Sequence, residues 1–186
     1  CKLIYPASPA HIKKYSVQSR RIVLETPEMH RNITRPYFAV LRLAGQTEWI
    51  ENILNDSTEM ERRLIDKKCP DSGFILLPDY KWTEEANLAT LYLLVIVRRG
   101  DLWSIRDLDG SHLSLLKDIR NSIKESIHRY KYPDGFTLSY DHLRVFFHYP
   151  PTYPHLHIHV TLASSSNSAC CVGQAVLLDE VIDNLE

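Results

Sequence analysis

The sequence predicts an α+β domain, and three observations predict it. Leu91 to Val97 is a continuous apolar run of strand length, bounded by Arg98-Arg99-Gly100. From Ser111 onward, Leu113, Leu116, Ile119, Ile123, Ile127 and Tyr130 recur at the period of one buried helix face. His155 to Val160 alternates histidine with an aliphatic residue, the period of a strand. Strands grouped around one long helix make this class.

In chain order, Pro9 to Val17 carries Ile12 and Tyr15 among lysines and reads as a short solvated helix linking the domain to an upstream region. Trp49, Ile50, Ile53 and Leu54 have helical spacing. Arg63-Leu64-Ile65 and Phe74-Ile75-Leu76-Leu77 read as strands around the turn Pro70-Asp71-Ser72-Gly73, and Pro78-Asp79 closes the second. The run to Val97 fits a strand covered on both faces, although periodicity alone leaves a buried helical segment open. Ser111 is an available N-cap for the long helix. Leu143 to His148 and Leu156 to Leu162 are β-rich runs joined by Tyr149-Pro150-Pro151-Thr152-Tyr153-Pro154, a stiff connection with few free donors. After the low-complexity loop Ser164 to Ser168, Ala175 to Leu185 places Leu177, Leu178, Val181, Ile182 and Leu185 on one helical face.

A chain of 186 residues with 22 Lys plus Arg against 23 Asp plus Glu fits one ordinary domain. Its net charge of −1 excludes the strongly basic surface that sequence-independent nucleic-acid binding requires. The apolar stretch from Leu88 is broken by Thr90 and stopped by Arg98, far short of the ~18–20 residues of a membrane helix, and no membrane partner is expected. No secretory signal is read at the start. The chain opens on Cys1 and closes within a helical pattern, so sequence is expected to be missing at both ends. Cys1, Cys69, Cys170 and Cys171 form no CxxC pair, which points to reduced thiols and a cytoplasmic location, with nuclear entry left open. The sequons at Asn32 and Asn55 are read as inert.

His155-Leu156-His157-Ile158-His159-Val160 is the most informative segment. In a strand its three histidines share one face while the aliphatic residues enter the core. A zinc site is the competing reading. Residues i and i+4 of a strand lie ~13 Å apart, against Zn–N bonds of about 2.0–2.1 Å, so the three do not easily converge on one ion. A phosphate chain can instead be contacted group by group, and imidazole is a good nucleophile near neutrality.

This hexapeptide resembles the His-φ-His-φ-His-φ signature of the histidine triad superfamily of nucleotide hydrolases and transferases. Arg31-Asn32-Ile33-Thr34, Phe74 to Asp79, Leu143-Arg144-Val145 with His148-Tyr149, and Glu180 to Glu186 extend the likeness to its scavenger mRNA-decapping branch, over nearly the whole chain. The resemblance implies an antiparallel sheet with a long helix and a C-terminal helix. It makes residues 1–20 a hinge from an N-terminal dimerisation domain and 21–186 the catalytic domain, its C-terminal end incomplete. The implied activity is hydrolysis of the 7-methylguanosine cap dinucleotide, or a short capped RNA stub, to 7-methylguanosine monophosphate and a nucleoside diphosphate or diphosphate-ended stub. It needs no cofactor and no metal, and the full-length protein would be a homodimer.

By the same resemblance His157 is the nucleophile that forms a phosphohistidine, and His155, His159 and His148 position it and the phosphate oxygens. Trp49, Glu59 and Asp79 match the positions that hold the methylated base. A cationic base gains stacking and cation–π attraction from a tryptophan face, and carboxylates accept its N–H donors. Singly, Trp49 is plain helix core, Glu59 surface and Asp79 a turn residue; their joint spacing favours the pocket. Lys14 and Lys81 match phosphate-contacting lysines, and Thr152 and Tyr153 match hydroxyls near the phosphates. Tyr80 stands where the family often has leucine on the other face of the base. Gln174 replaces an expected basic contact, and Ser164 to Gly173 and Tyr132 to Asp141 depart from the usual loops. Two alternatives stay open: a triad hydrolase of other dinucleoside polyphosphates, and a cap-binding module without turnover.

Overall fold

The computed structural model describes residues 5–16, 21–82, 87–132, 134–165 and 170–186. Its centre is a six-stranded, fully antiparallel sheet in the order β1-β2-β3-β5-β4-β6. The strands are β1 Ile65–Lys67, β2 Phe74–Pro78, β3 Tyr92–Val97, β4 Leu143–His148, β5 His157–Leu162 and β6 Ala175–Leu177. The apolar run is therefore strand, buried along its whole length because both faces of the sheet are covered.

Alternation sorts the residues. Phe74, Leu76, Val95, Val97, Val145, Phe147, Ile158 and Val160 face one side, against α5 (Leu113–Ile127) and α6 (Leu178–Leu185). Ile75, Leu77, Leu94 and Ile96 face the other, where Ile50 and Ile53 of α4 (Glu48–Leu54) cover them. Each such side chain contributes about 1.5–3 kcal/mol on burial. The histidines of β5 share this second face.

Three boundaries differ from the sequence reading. Ser111 does not cap the long helix: Asp109 caps a short 3₁₀ turn, Gly110–His112, its carboxylate accepting the Ser111 N–H at 2.9 Å, and α5 runs on from that turn without a side-chain cap of its own. Ala175 to Leu177 is a strand, not the first turn of the final helix. The open edge of β4 takes these residues, pairing His148 with Ala175 and Phe146 with Leu177, and the helix starts at Leu178, where its apolar face meets α5. The strand expected at Arg63–Ile65 sits two residues later, because Met60–Arg62 form a 3₁₀ turn that takes the Arg63 N–H onto the Met60 carbonyl.

Residues 27–43 are helical, a run the sequence pattern did not show: α2 Pro27–Met29, a π turn His30–Thr34 and α3 Arg35–Leu43. Pro36 cannot donate a backbone hydrogen bond, and the wider turn lets Arg35 N–H reach the His30 carbonyl instead. The short α1, Pro9–Tyr15, is capped by Ser8; Val17 lies outside the described residues.

Candidate active site

β5 lies between β3 and β4, and this register assembles the site. Leu94 pairs with His159 and Ile96 with His157 on one side, and Phe146 pairs with His159 on the other. His148 shares the face of Phe146, so its ring comes to 4.3 Å from that of His159, centroid to centroid, and the His157 ring lies 4.9 Å from His159. Three of the four expected histidines thus form one cluster.

His155 behaves differently. It precedes β5, and its Nε2 donates to the Val97 carbonyl at 2.6 Å, so it closes the end of the β3–β5 ladder. Its own carbonyl accepts Nδ1–H of His157 at 2.6 Å. That bond fixes the tautomer of His157: with the proton on Nδ1, Nε2 carries the lone pair, and it makes no hydrogen bond among the described residues. Burial lowers the His157 pKa to about 4, aided by the neighbouring histidines and Lys81. His155 and His159 are likewise held neutral, burial being the main cause in both. Neutral imidazole is the nucleophilic form.

At the Tyr92 end of this face stands Asp79, continuing the alternation of Ile75 and Leu77 and 5% exposed. Its N–H donates to the Tyr92 carbonyl, and its Oδ1 accepts the Lys81 N–H at 2.8 Å. Burial raises its pKa against the opposing effect of Lys81 N–H and the charges of Lys81 and Arg62, while Glu59 adds to the rise. Glu59 sits at φ 61°, and its carboxylate takes Arg62 at 2.8 Å. Trp49 lies half-buried against the apolar cluster that Ile75, Leu77, Leu94 and Ile96 form with α4, edge-on to Tyr153 at 5.2 Å, with Nε1 buried and unpartnered among the described residues. Trp49, Asp79 and His157 therefore occupy one face of the sheet.

The remaining expected residues are more loosely placed. Lys81 is exposed, its Nζ 5.2 Å from the Tyr92 ring and 5.6 Å from the Tyr80 ring. Tyr80 is 70% exposed, and Thr152 is also open to solvent. Lys14 lies in α1, with its side chain outside the described residues. Residues 166–169 of the unusual loop are outside them too, and the Gln174 carbonyl accepts Tyr149 N–H at 2.9 Å.

Structure adds residues that spacing did not reveal. Arg98 donates to the carbonyls of Lys67 and Leu54, at 2.9 and 3.0 Å, and pairs with Asp66, so it ties α4 and Trp49 to the sheet. Tyr92 reaches Nδ1 of His159 at 3.0 Å. Its sequence signal was a single hydroxyl inside an otherwise apolar strand. A cavity of ≈ 340 Å³ lies behind His155, but its cations Arg42, Lys68 and Arg98 already bond the Pro154 carbonyl, Asp56 and Asp66.

Known proteins can be set beside this geometry. The m7GpppX diphosphatase of Schizosaccharomyces pombe is 41% identical over 98% of this chain and 58% of its own length. The m7GpppX diphosphatase of Ascaris suum is 43% identical over 99% and 58%, and that of Homo sapiens 40% over 99% and 52%. The chain thus spans a little over half the length of these curated relatives. The solved structure of Hnt3 in complex with DNA and guanosine is 13% identical, with a TM-score of 0.46 over 74% of this chain and 76% of that one. Residues 48–172, from the α4 wall through the histidine cluster, match the family described as scavenger mRNA decapping enzyme C-term binding. The chain belongs to that family.

Proposed function

We propose that this chain carries the catalytic half of an enzyme that hydrolyses the 5′-5′ triphosphate of a methylated cap dinucleotide or a short capped RNA stub. One observation carries the reading: Nδ1 of buried His157 is spent on the His155 carbonyl, which leaves Nε2 a neutral nucleophile among histidines. The relatives named as m7GpppX diphosphatases support the substrate class. Nε2 would attack the phosphorus next to methylguanosine, forming an N–P bond as the P–O bond to the nucleoside diphosphate breaks. Water then forms a new P–O bond, the N–P bond breaks, and the proton leaves to solvent. Lys81 and His148 would face the phosphate oxygens, and Trp49, Glu59 and Asp79 the base.

Residues 1–20 are proposed as the hinge from a dimerisation domain. Support for a paired state comes from α3, where Tyr37, Val40 and Leu43 are 58%, 60% and 89% exposed, an apolar face of the kind that partners cover.

The test compares turnover of methylated and unmethylated cap dinucleotides and traps the acid-labile phosphoryl adduct. Faster turnover of the methylated substrate, with an adduct that His157→Asn abolishes while binding persists, is expected. Equal turnover of the two would favour a general dinucleoside-polyphosphate hydrolase, and binding without turnover a cap-binding module.

A further inference from the structure

β3 carries one polar side chain, Tyr92, 5% exposed. Its hydroxyl lies 3.0 Å from Nδ1 of His159, the two rings meeting edge-on at 5.7 Å. The other ring nitrogen of His159, Nε2, is buried and has no hydrogen-bond partner among the described residues. The rings of His157 and His148 stand 4.9 and 4.3 Å away. We propose that Tyr92 is a positioning residue that sets the tautomer of His159: its hydroxyl donates to Nδ1, so the single ring proton sits on Nε2 and is offered to a phosphoryl oxygen beside His157. The inference rests on the reading of His157 as nucleophile.

Counting donors decides between the two tautomers. If Nδ1 carried the proton and donated to Tyr92, the phenol proton would have no acceptor among the described residues, and Nε2 would also be unmatched. Two buried polar groups would then be stranded. If Tyr92 donates, the Nε2–H alone lacks a partner, and each stranded donor carries the full cost of its lost hydration. Burial and the nearby Asp79 charge push the Tyr92 hydroxyl well above its ordinary pKa, so it keeps its proton. Burial keeps His159 neutral, so the ring holds one proton only.

The remaining Nε2–H is a pre-set donor where charge develops. As His157 Nε2 forms its bond to phosphorus and the leaving oxygen departs, negative charge on a non-bridging oxygen strengthens this hydrogen bond. No proton is transferred: His159 keeps it throughout. Tyr92 also receives the Asp79 N–H on its carbonyl at 2.9 Å, so the strand end beside the proposed base site and the residue that orients His159 are joined directly.

The experiment uses ¹⁵N-histidine labelling of the 186-residue chain at neutral pH, reading each ring tautomer from its two-bond N–H correlations, with steady-state kinetics on the methylated cap dinucleotide. His159 is expected to show Nε2–H. In Tyr92→Phe the tautomer should become mixed or reversed, and kcat should fall about tenfold or more with little change in KM. Nδ1–H at His159 in the unmodified chain overturns the proposal, and that reading needs no variant to fold. An unaltered tautomer in folded Tyr92→Phe overturns it too, as does an altered tautomer with undiminished kcat. Should the unmodified chain show the expected tautomer, lost in Tyr92→Phe, yet turn over no cap dinucleotide, the tautomer assignment is upheld and the proposed substrate fails instead.

Discussion

Asp79→Asn separates recognition of a charged base from recognition of its hydrogen-bonding edge. The side chain is 5% exposed, and Oδ1 is engaged by Lys81 N–H, which leaves Oδ2 for a ligand. Asparagine can keep the first contact through its amide oxygen but turns the second oxygen into a donor. A hydrogen bond to a charged group contributes about 1.5–3 kcal/mol, and any guanine loses it. Only the methylated base also loses Coulomb attraction, about 3 kcal/mol at roughly 5 Å and an effective dielectric near 20. Delocalisation over the ring and the opposing charges of Lys81 and Arg62 reduce that to about 1.5 kcal/mol, roughly tenfold in affinity. Both ligands should therefore weaken, and the gap between them should narrow about tenfold. Calorimetric titration in a His157→Asn background, where turnover does not interfere, measures both affinities. Because burial raises the Asp79 pKa, methylated-cap affinity should fall as pH drops through that raised value, and Asp79→Asn should remove this limb. An affinity gap unchanged by the substitution would refute a base-reading Asp79.

Acid should unfold the domain earlier than its carboxylates alone require. His155, His157 and His159 have folded pKa values below the ordinary one, that of His157 about 4, so the unfolded chain binds more protons below pH ~6.5 and stability falls as pH drops from there. The limiting loss is about 1.4 kcal/mol per pH unit for each histidine, and an equal urea midpoint at pH 7 and pH 5 would contradict their neutral burial. Gly73→Ala should cost about 3 kcal/mol in chemical unfolding, because its Cβ would stand 2.2 Å from the Cys69 carbonyl oxygen and 2.3 Å from that of Lys67. Wild-type stability in that variant would show that the β1–β2 turn yields freely. Arg98→Leu should cost about 2 kcal/mol and also weaken cap binding, since it leaves Asp66 with Arg63 as its remaining partner and frees the Leu54 end of the helix that bears Trp49. Full affinity in a folded Arg98→Leu chain would remove Arg98 from the support of the base site.

What the sequence determined by itself is whatever depends on near neighbours along the chain. A period of two placed His157 and His159 on one face and Ile158 on the other, and a period near 3.6 gave α5; both follow from backbone geometry, which is local. The family likeness brought Trp49, Glu59 and Asp79 into one expectation, and the fold places Trp49 and Asp79 on the face of His157. Tertiary structure decided what depends on partners distant in sequence. The open edge of β4 turned Ala175–Leu177 from helix to strand, a choice made by the hydrogen-bonding groups of Phe146 to His148, far back along the chain. His155 shares the alternation of the other two, yet its ring is turned to the Val97 carbonyl, 58 residues back, which only the β3–β5 register supplies. The same holds for Tyr92, 67 residues from His159, and for Arg98, whose guanidinium reaches Leu54 across 44. Periodicity specifies which face a side chain takes, but the protonated nitrogen of a buried imidazole is set by the donor or acceptor that the fold brings against it.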